Sequence, residues 1–513
     1  MSTGIRVDWR ASVSLTGSVV KWLAVPMLFP VALALYYGRG IEAFLVTVPV
    51  ALAVGYSLER LHDDPGEALG AREGFLMVAL TWLLVSLVGA VPYLAEGWLT
   101  AYGSASTLKW PVNAVFESMS GFTTTGSTVM GTISFEGHSR ALMMWRQLSQ
   151  WLGGMGIVVL AIAILPELSV GGAQLMDAEA PGPGIEKLTP RIAETARTLW
   201  GLYLGLTALE IVGLYLFHRL GMAPEMTLYN AVAHGFTTMP TGGFSPEARS
   251  IEVFSAAVQW FVVPFMVAAG TNFALFWHCW NRDLGTVIED VEFGSYLGII
   301  GVLSALVAGL LFTGPGHEAL VGALEPSIRH AVFQIVSIVT TTGYASMNFD
   351  LWGENAKYVL LFAMFVGGSA GSTGGSIKVI RWVVIVKSLF RELFTTIHPE
   401  AVQPVRLGDQ AIDEGTIRGV YAFTLLYLVI FGVAAVAVVV IGHTEEPLSA
   451  FEATSAVAAT LGNVGPGVGA VGPMANFEEF PAVSKLLMVF LMWIGRLEIF
   501  PVLVLLTRAY WRS

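Results

Sequence analysis

One cysteine in 513 residues, Cys279, excludes an intrachain disulfide framework. Charge is scarce too: Asp, Glu, Lys and Arg make up 13% of the chain, against about 25% in an ordinary soluble domain. The nine histidines show no paired spacing on one helix face that would hold a metal. His278 adjoins Cys279 but shares no face with a further ligand, and His234 reads as a packing or capping residue. No Ser/His/Asp set is evident, and the chain is expected not to be an enzyme. The run Gly371 to Lys378 lacks the Gly-Lys-Ser/Thr ending that cradles phosphates. A net charge of -11, carried mostly by loops, argues against nucleic acid as a partner.

What is present in quantity is apolar length. Hydrophobic residues are 55% of the chain and mean hydropathy is +0.67. Uncharged runs near the roughly 20 residues that cross a bilayer include Trp22 to Gly38, Gly74 to Ala95, Ser295 to Gly314 and Val420 to Gly442. Two more, Leu199 to Phe217 and Leu486 to Leu506, are interrupted only by Glu210 and by Arg496 with Glu498. The fold class is therefore an all-α polytopic membrane protein. Arg6, Arg10 and Lys21 precede an apolar run, but without a clear small-residue cleavage site; with Ala43 to Tyr56 it reads as a retained two-helix hairpin. With the N-terminus inside, 17 of the 27 Lys and Arg residues fall on the inner side, as the positive-inside rule requires.

Between the long runs one short phrase recurs. It reads Thr123-Thr124-Thr125-Gly126, Thr241-Gly242-Gly243, Thr340-Thr341-Thr342-Gly343 and, degenerately, Gly462-Asn463-Val464-Gly465-Pro466-Gly467. The intervals between Gly126, Gly242, Gly343 and Gly465 are 116, 101 and 122 residues. Each copy follows a stretch of 9 to 12 residues, too short to span, which must re-enter and line a cavity. The chain thus divides into a hairpin (1–66) and four helix, half-helix, helix repeats (67–184, 185–287, 288–406, 407–513). Four half-helix C-termini point the negative ends of their dipoles at one centre, and four Thr/Gly turns supply carbonyl oxygens that can replace the water around a cation. The implied object is an ion pore with the lipid bilayer as its surroundings.

In the second long segment of repeat three stand Gly367, Gly368, Ser369, Ala370, Gly371, Ser372, Thr373, Gly374, Gly375 and Ser376. Glycine costs about 1 kcal/mol relative to alanine in a helix, so this run breaks the helix into halves joined by a loop at membrane depth, placed to block the pore. Tight helix packing through small residues is the alternative. Lys378 either joins that gate or snorkels at a helix end; Arg496 either bonds carbonyls of the loop or pairs with Glu498. Glu117 and Glu452, in the first and fourth half-helices, are the carboxylates a proton-coupled symporter would use, or struts that hold those helices in place.

The stretches Glu117 to Gly126, Gln150-Trp151-Leu152-Gly153-Gly154-Met155-Gly156-Ile157, Gly270-Thr271-Asn272-Phe273, Gly462 to Gly467 and Gly495-Arg496-Leu497-Glu498 resemble the Trk/Ktr/HKT superfamily of potassium transporters. The additional N-terminal hairpin is similar to the TrkH branch. The resemblance implies a K⁺ filter lined by Gly126, Gly242, Gly343 and Gly465, with Thr124, Thr125, Thr241, Thr341, Thr342, Asn463 and Val464 beside them. It implies a gate made of Gly367 to Gly375 with Lys378 and Arg496. Members that favour sodium often carry serine for the first filter glycine, so Gly126 points to potassium. The resemblance further implies a homodimer in a prokaryotic cell membrane and a separate cytoplasmic TrkA-like protein that binds nucleotides and pulls on the gate. The loops placed to meet that protein are Glu167 to Glu194, Asn281 to Gly294 and Arg391 to Arg418.

Overall fold

The computed structural model describes residues 7–62, 70–100, 106–156, 192–314, 318–408, 410–442 and 448–512. The Leu165 end of the helix expected from Arg140, and most of the Glu167 to Glu194 loop, lie outside the described residues. Among the described residues six helical segments are long and apolar enough to cross a membrane, and a bent pair makes a seventh if it counts as one span. The chain is an all-α polytopic membrane protein, and the described residues include one two-residue β-ladder.

At the N-terminus, helices α1 (Trp9–Trp22) and α2 (Ala24–Tyr37) run on as one segment and α3 (Ile41–Glu59) returns against it. Asp8 opens α1 by accepting from the backbone N–H groups of Arg10 and Ala11, a side-chain N-cap. Gly17 and Gly55 let the two backbones meet: a Cβ on Gly17 would lie 2.8 Å from the Gly55 carbonyl oxygen. Lys21 closes the hairpin with a bond of 2.7 Å to Glu59.

Repeat one contains α4 (Ala71–Gly89) and α5 (Val91–Leu99), a half-helix α6 (Pro111–Phe122), and α7 (Arg140–Gly154). Repeat two has α8 (Ile192–Arg219), the half-helix α9 (Leu228–Thr238), then α10 (Ala256–Ala269) and α11 (Phe273–Trp280). A short helix, α12 (Leu284–Glu289), leads into repeat three: α13 (Val291–Thr313), the half-helix α14 (Leu324–Val339), α15 (Glu354–Ala363) and α16 (Val379–Ile397). The ladder of β1 (Arg406–Leu407) and β2 (Gln410–Ala411) precedes repeat four, with α17 (Glu414–Ile441), the half-helix α18 (Ala450–Leu461), α19 (Ala482–Arg496), α20 (Phe500–Leu505) and α21 (Arg508–Arg512). At 1.5 Å per residue, a half-helix of 12 residues such as α6 reaches about 18 Å, short of the roughly 30 Å hydrocarbon layer.

The first helices of repeats two, three and four bury only 28%, 28% and 22% of their apolar windows, whereas α4 and α5 bury 67%. The N-terminal hairpin packs on α4 and covers the face that the other repeats turn to lipid. Two of the expected continuous helices are broken. The run Phe254 to Trp280 bends by 99° between α10 and α11, where Asn272 accepts from the Ala274 N–H and starts a new helix. The run ending at Leu506 breaks at Glu498 and Ile499, both with positive φ (57° and 64°). In repeat three, residues 364–378 form a loop between α15 and α16.

Candidate ion-conduction site

The site begins at the C-termini of the half-helices. In α6 the N–H of Thr124 donates to the Gly121 carbonyl at 3.0 Å and that of Thr125 to the Ser120 carbonyl at 2.9 Å. This pair of bonds, three and five residues back, is a Schellman motif. It repeats at Thr241 and Gly242 (2.8 and 2.9 Å), at Thr341 and Thr342 (3.0 and 2.8 Å) and at Asn463 and Val464 (3.4 and 2.8 Å). The left-handed residue of each motif is Thr124 (φ 53°), Thr241 (57°), Thr341 (58°) and Asn463 (52°). Holding a side chain there costs roughly 1–2 kcal/mol, which the surrounding bonds offset.

Two residues further on, each turn has a second positive φ, always on glycine: Gly126 (85°), Gly243 (75°), Gly343 (79°) and Gly465 (108°). The second repeat is thereby registered one residue later than the spacing of Gly126, Gly242, Gly343 and Gly465 supposes. Gly242 stands in the place of Thr125, Thr342 and Val464. These four residues supply the carbonyls that close the ring. A Cβ on Gly126 would strike the Gly242 carbonyl oxygen, one on Gly243 that of Thr342, and one on Gly343 that of Val464; on Gly465 it would lie 2.9 Å from that of Thr125. The contacts run from repeat one to two, three, four and back to one. Neutral carbonyl oxygens in such a ring are hard ligands suited to a dehydrated monovalent cation.

Side chains behind the ring hold it. Gln150 donates to the Gly242 carbonyl at 2.7 Å and accepts from the Phe244 N–H at 3.0 Å. Ser127 donates to the Gly465 carbonyl at 2.7 Å. Asn463 turns its amide away to Thr125 Oγ1 and the Met492 carbonyl, at 2.9 and 3.0 Å. Nine residues before each ring glycine, three half-helices carry a polar strut: Glu117 takes the Thr128 hydroxyl and Val129 N–H, both at 2.9 Å, His234 Nε2 meets Ser245 Oγ at 3.0 Å, and Gln334 donates to the Tyr344 carbonyl at 3.1 Å. Glu117 is paired with Arg146 at 2.6 Å, and Arg146 lies 3.5 Å from the Phe244 ring centroid. Glu452 closes a capping box with Ser449 and accepts from the Ala470 N–H at 2.9 Å. Both carboxylates act as struts. A different one, Glu210 on α8, is fully buried, with Thr238 of the second half-helix as its hydrogen-bonding neighbour.

On one side of the ring a cup of about 60 Å³ is lined by Gly126, Gly243, Gly343 and Gly465 together with Arg146 and Glu247. On the other side, against the half-helix ends, lies the 364–378 loop. The Thr241 hydroxyl donates to the Thr373 carbonyl at 2.9 Å, and Thr341 Oγ1 accepts from the Gly375 N–H at 2.7 Å. The loop is also sewn to the bend of repeat two: Ser369 N–H donates to the Gly270 carbonyl at 2.8 Å and Phe273 N–H to that of Gly371 at 3.1 Å. Arg496 donates to Thr373 at 2.7 Å and to the carbonyls of Gly153 and Gly154 at 3.2 and 3.3 Å, so it joins the loop to repeat one. Lys378 is buried and bonds back to the Gly374 carbonyl, which sets aside snorkelling. Glu498 pairs with Arg381 rather than with Arg496.

The sequence residues at Thr124 to Gly126, Thr241, Gly242, Thr341 to Gly343 and Asn463 to Gly465 are thus brought together in one ring, with Gly367 to Gly375, Lys378 and Arg496 directly beneath. Sequence reasoning quoted Gly243 and Gln150 without assigning them a place in the ring, and gave Arg381 no role. Adjacent glycines at 242 and 243 hid the register, and the other two act on residues distant along the chain.

Compared with known proteins, the chain matches the family described as "TrkH: Cation transport protein" over residues 40–512. It is 37% identical over 508 residues to the Trk system potassium uptake protein TrkH of Halomonas elongata, covering 98% of this chain and 99% of that one. The protein of the same name from Escherichia coli K12 is 37% identical over 511 residues, covering 99% and 100%. The crystal structure of the potassium transporter TrkH from Vibrio parahaemolyticus superposes with a TM-score of 0.83 at 34% identity, covering 99% of this chain and all of that one.

Proposed function

Since the chain belongs to the TrkH family of cation transport proteins, we propose that it takes up potassium through the ring of carbonyls at the half-helix ends. The observation that carries this reading is the cyclic packing of each ring glycine on the next repeat's carbonyl, with the relatives named as potassium uptake proteins. A potassium ion enters the cup, exchanges water for carbonyl oxygens, and is held by four helix C-termini without a fixed anion. The membrane potential draws it inward, at about 2.3 kcal/mol per charge per 100 mV. The 364–378 loop blocks the inner side until it is displaced. In this reading the N-terminus and the loop side are cytoplasmic, two copies form a homodimer, and a nucleotide-binding TrkA-like partner drives the displacement. Expression in cells unable to take up potassium tests it: growth at limiting potassium is expected, and absence of growth with the protein present in the membrane contradicts it.

One observation favours a second reading, a potassium/proton symporter. Glu210 is a fully buried carboxylate on α8, and an intramembrane acid of that kind marks proton relays elsewhere. Proton coupling predicts a reversal potential that moves with pH and stops moving in Glu210→Gln. A passive pore predicts no such movement in either protein.

A further inference from the structure

The loop that lies under the ring is closed at its neck. The Gly367 N–H donates to the Ile377 carbonyl at 2.8 Å and the Val379 N–H to that of Gly368 at 3.2 Å. Residues 369–376 are therefore a lobe whose far side touches Thr241 and Thr341. Beside the neck stands Glu292, the second residue of α13. Its own helix does not need it as a cap, because Asp290 already accepts from the Phe293 N–H at 2.6 Å. Glu292 instead directs one carboxylate oxygen, Oε1, at the N–H of Ala370 (2.8 Å) and at that of Ile380 (3.2 Å). The first donor is in the lobe. The second is in the opening turn of α16, where helix N–H groups have no partner within their own helix. A single carboxyl oxygen shared between these donors fixes the lobe relative to the helix that continues it. Its anchor is a neighbouring helix of the same repeat, 78 and 88 residues away.

We infer that Glu292 is a positioning residue that clamps the lobe in its blocking conformation by holding Ala370 and Ile380 with one oxygen. The inference rests on reading the lobe as a gate. Opening then has to break or stretch this clamp as well as the bonds of Arg496 and the two threonines. Because Glu292 touches neither the ring nor the cup, its loss alters how often the path is open and leaves which ion passes unchanged.

The test is potassium flux from liposomes holding the purified full chain alone, for four proteins: unaltered, Glu292→Ala, Glu292→Gln, and a deletion of Ser372 to Gly374. Glu292→Ala is expected to raise basal flux up to about tenfold, the upper end of what one lost buried hydrogen bond does to a two-state equilibrium, at an unchanged potassium-to-sodium ratio. Glu292→Gln keeps an acceptor oxygen and is expected to raise it less. If the deletion raises flux but neither Glu292 variant does, the clamp is refuted and the gate stands. If the deletion leaves flux unchanged, the gate reading fails and the clamp with it. Should Glu292→Ala not fold, unchanged basal flux in Glu292→Gln is sufficient to overturn the inference, and a fall in flux or a change in ion ratio likewise counts against it.

Discussion

At the scale of single residues the second repeat is the most instructive. Gly242 and Gly243 are adjacent and chemically identical, yet only Gly243 has a positive φ, and only its added Cβ would meet backbone, the Thr342 carbonyl. A Cβ on Gly242 would meet the side chain of Gln150, which can turn aside. Gly243→Ala is therefore expected to lose potassium-over-sodium discrimination by roughly tenfold, the equivalent of the 1–2 kcal/mol that a left-handed non-glycine residue costs, and Gly242→Ala to lose less. Permeability ratios measured for both in one preparation check the order; equal effects would restore the register read from spacing. The turns themselves were legible because threonine and glycine stand out between apolar runs. Which of two glycines completes the ring was not, since that is decided by a dihedral angle. The Glu117–Arg146 pair gives a second test. Both partners are almost wholly buried, and removing one partner of a buried pair costs about 3–5 kcal/mol. Arg146→Ala is expected to lower the thermal unfolding midpoint in detergent by several degrees; an unchanged midpoint would show the pair to be dispensable.

Among elements, the half-helices could be read from the sequence because they are too short to span, and the loop of repeat three because its ten residues from Gly367 to Ser376 include five glycines. The bends elsewhere were not legible. Apolar periodicity in the run Phe254 to Trp280 does not announce a 99° turn; the turn is held because Ala269, Gly270 and Phe273 bond the loop of repeat three, a contact about 100 residues away that periodicity does not register. Arg496 was legible as a costly intramembrane charge, but its three carbonyl partners on two repeats were not. It ties the loop to α7, and Arg496→Ala is expected to raise flux several-fold in the absence of any nucleotide-binding partner. Flux unchanged by this substitution would remove Arg496 from the gate.

Taken as a whole molecule, four units of dissimilar sequence converge on one arrangement: a half-helix, a Schellman turn, and a glycine seated on the neighbouring carbonyl. The N-terminal hairpin covers repeat one, and the long first helices of the other three remain largely exposed for lipid. The central claim is that these four turns form one potassium filter. Its most direct test is the reversal potential of the purified chain in liposomes under opposed potassium and sodium gradients. The account predicts a value near the potassium limit that moves toward zero in Gly126→Ser and Gly243→Ser alike. No cation current, or a potential indifferent to substitution at all four ring glycines, would contradict it.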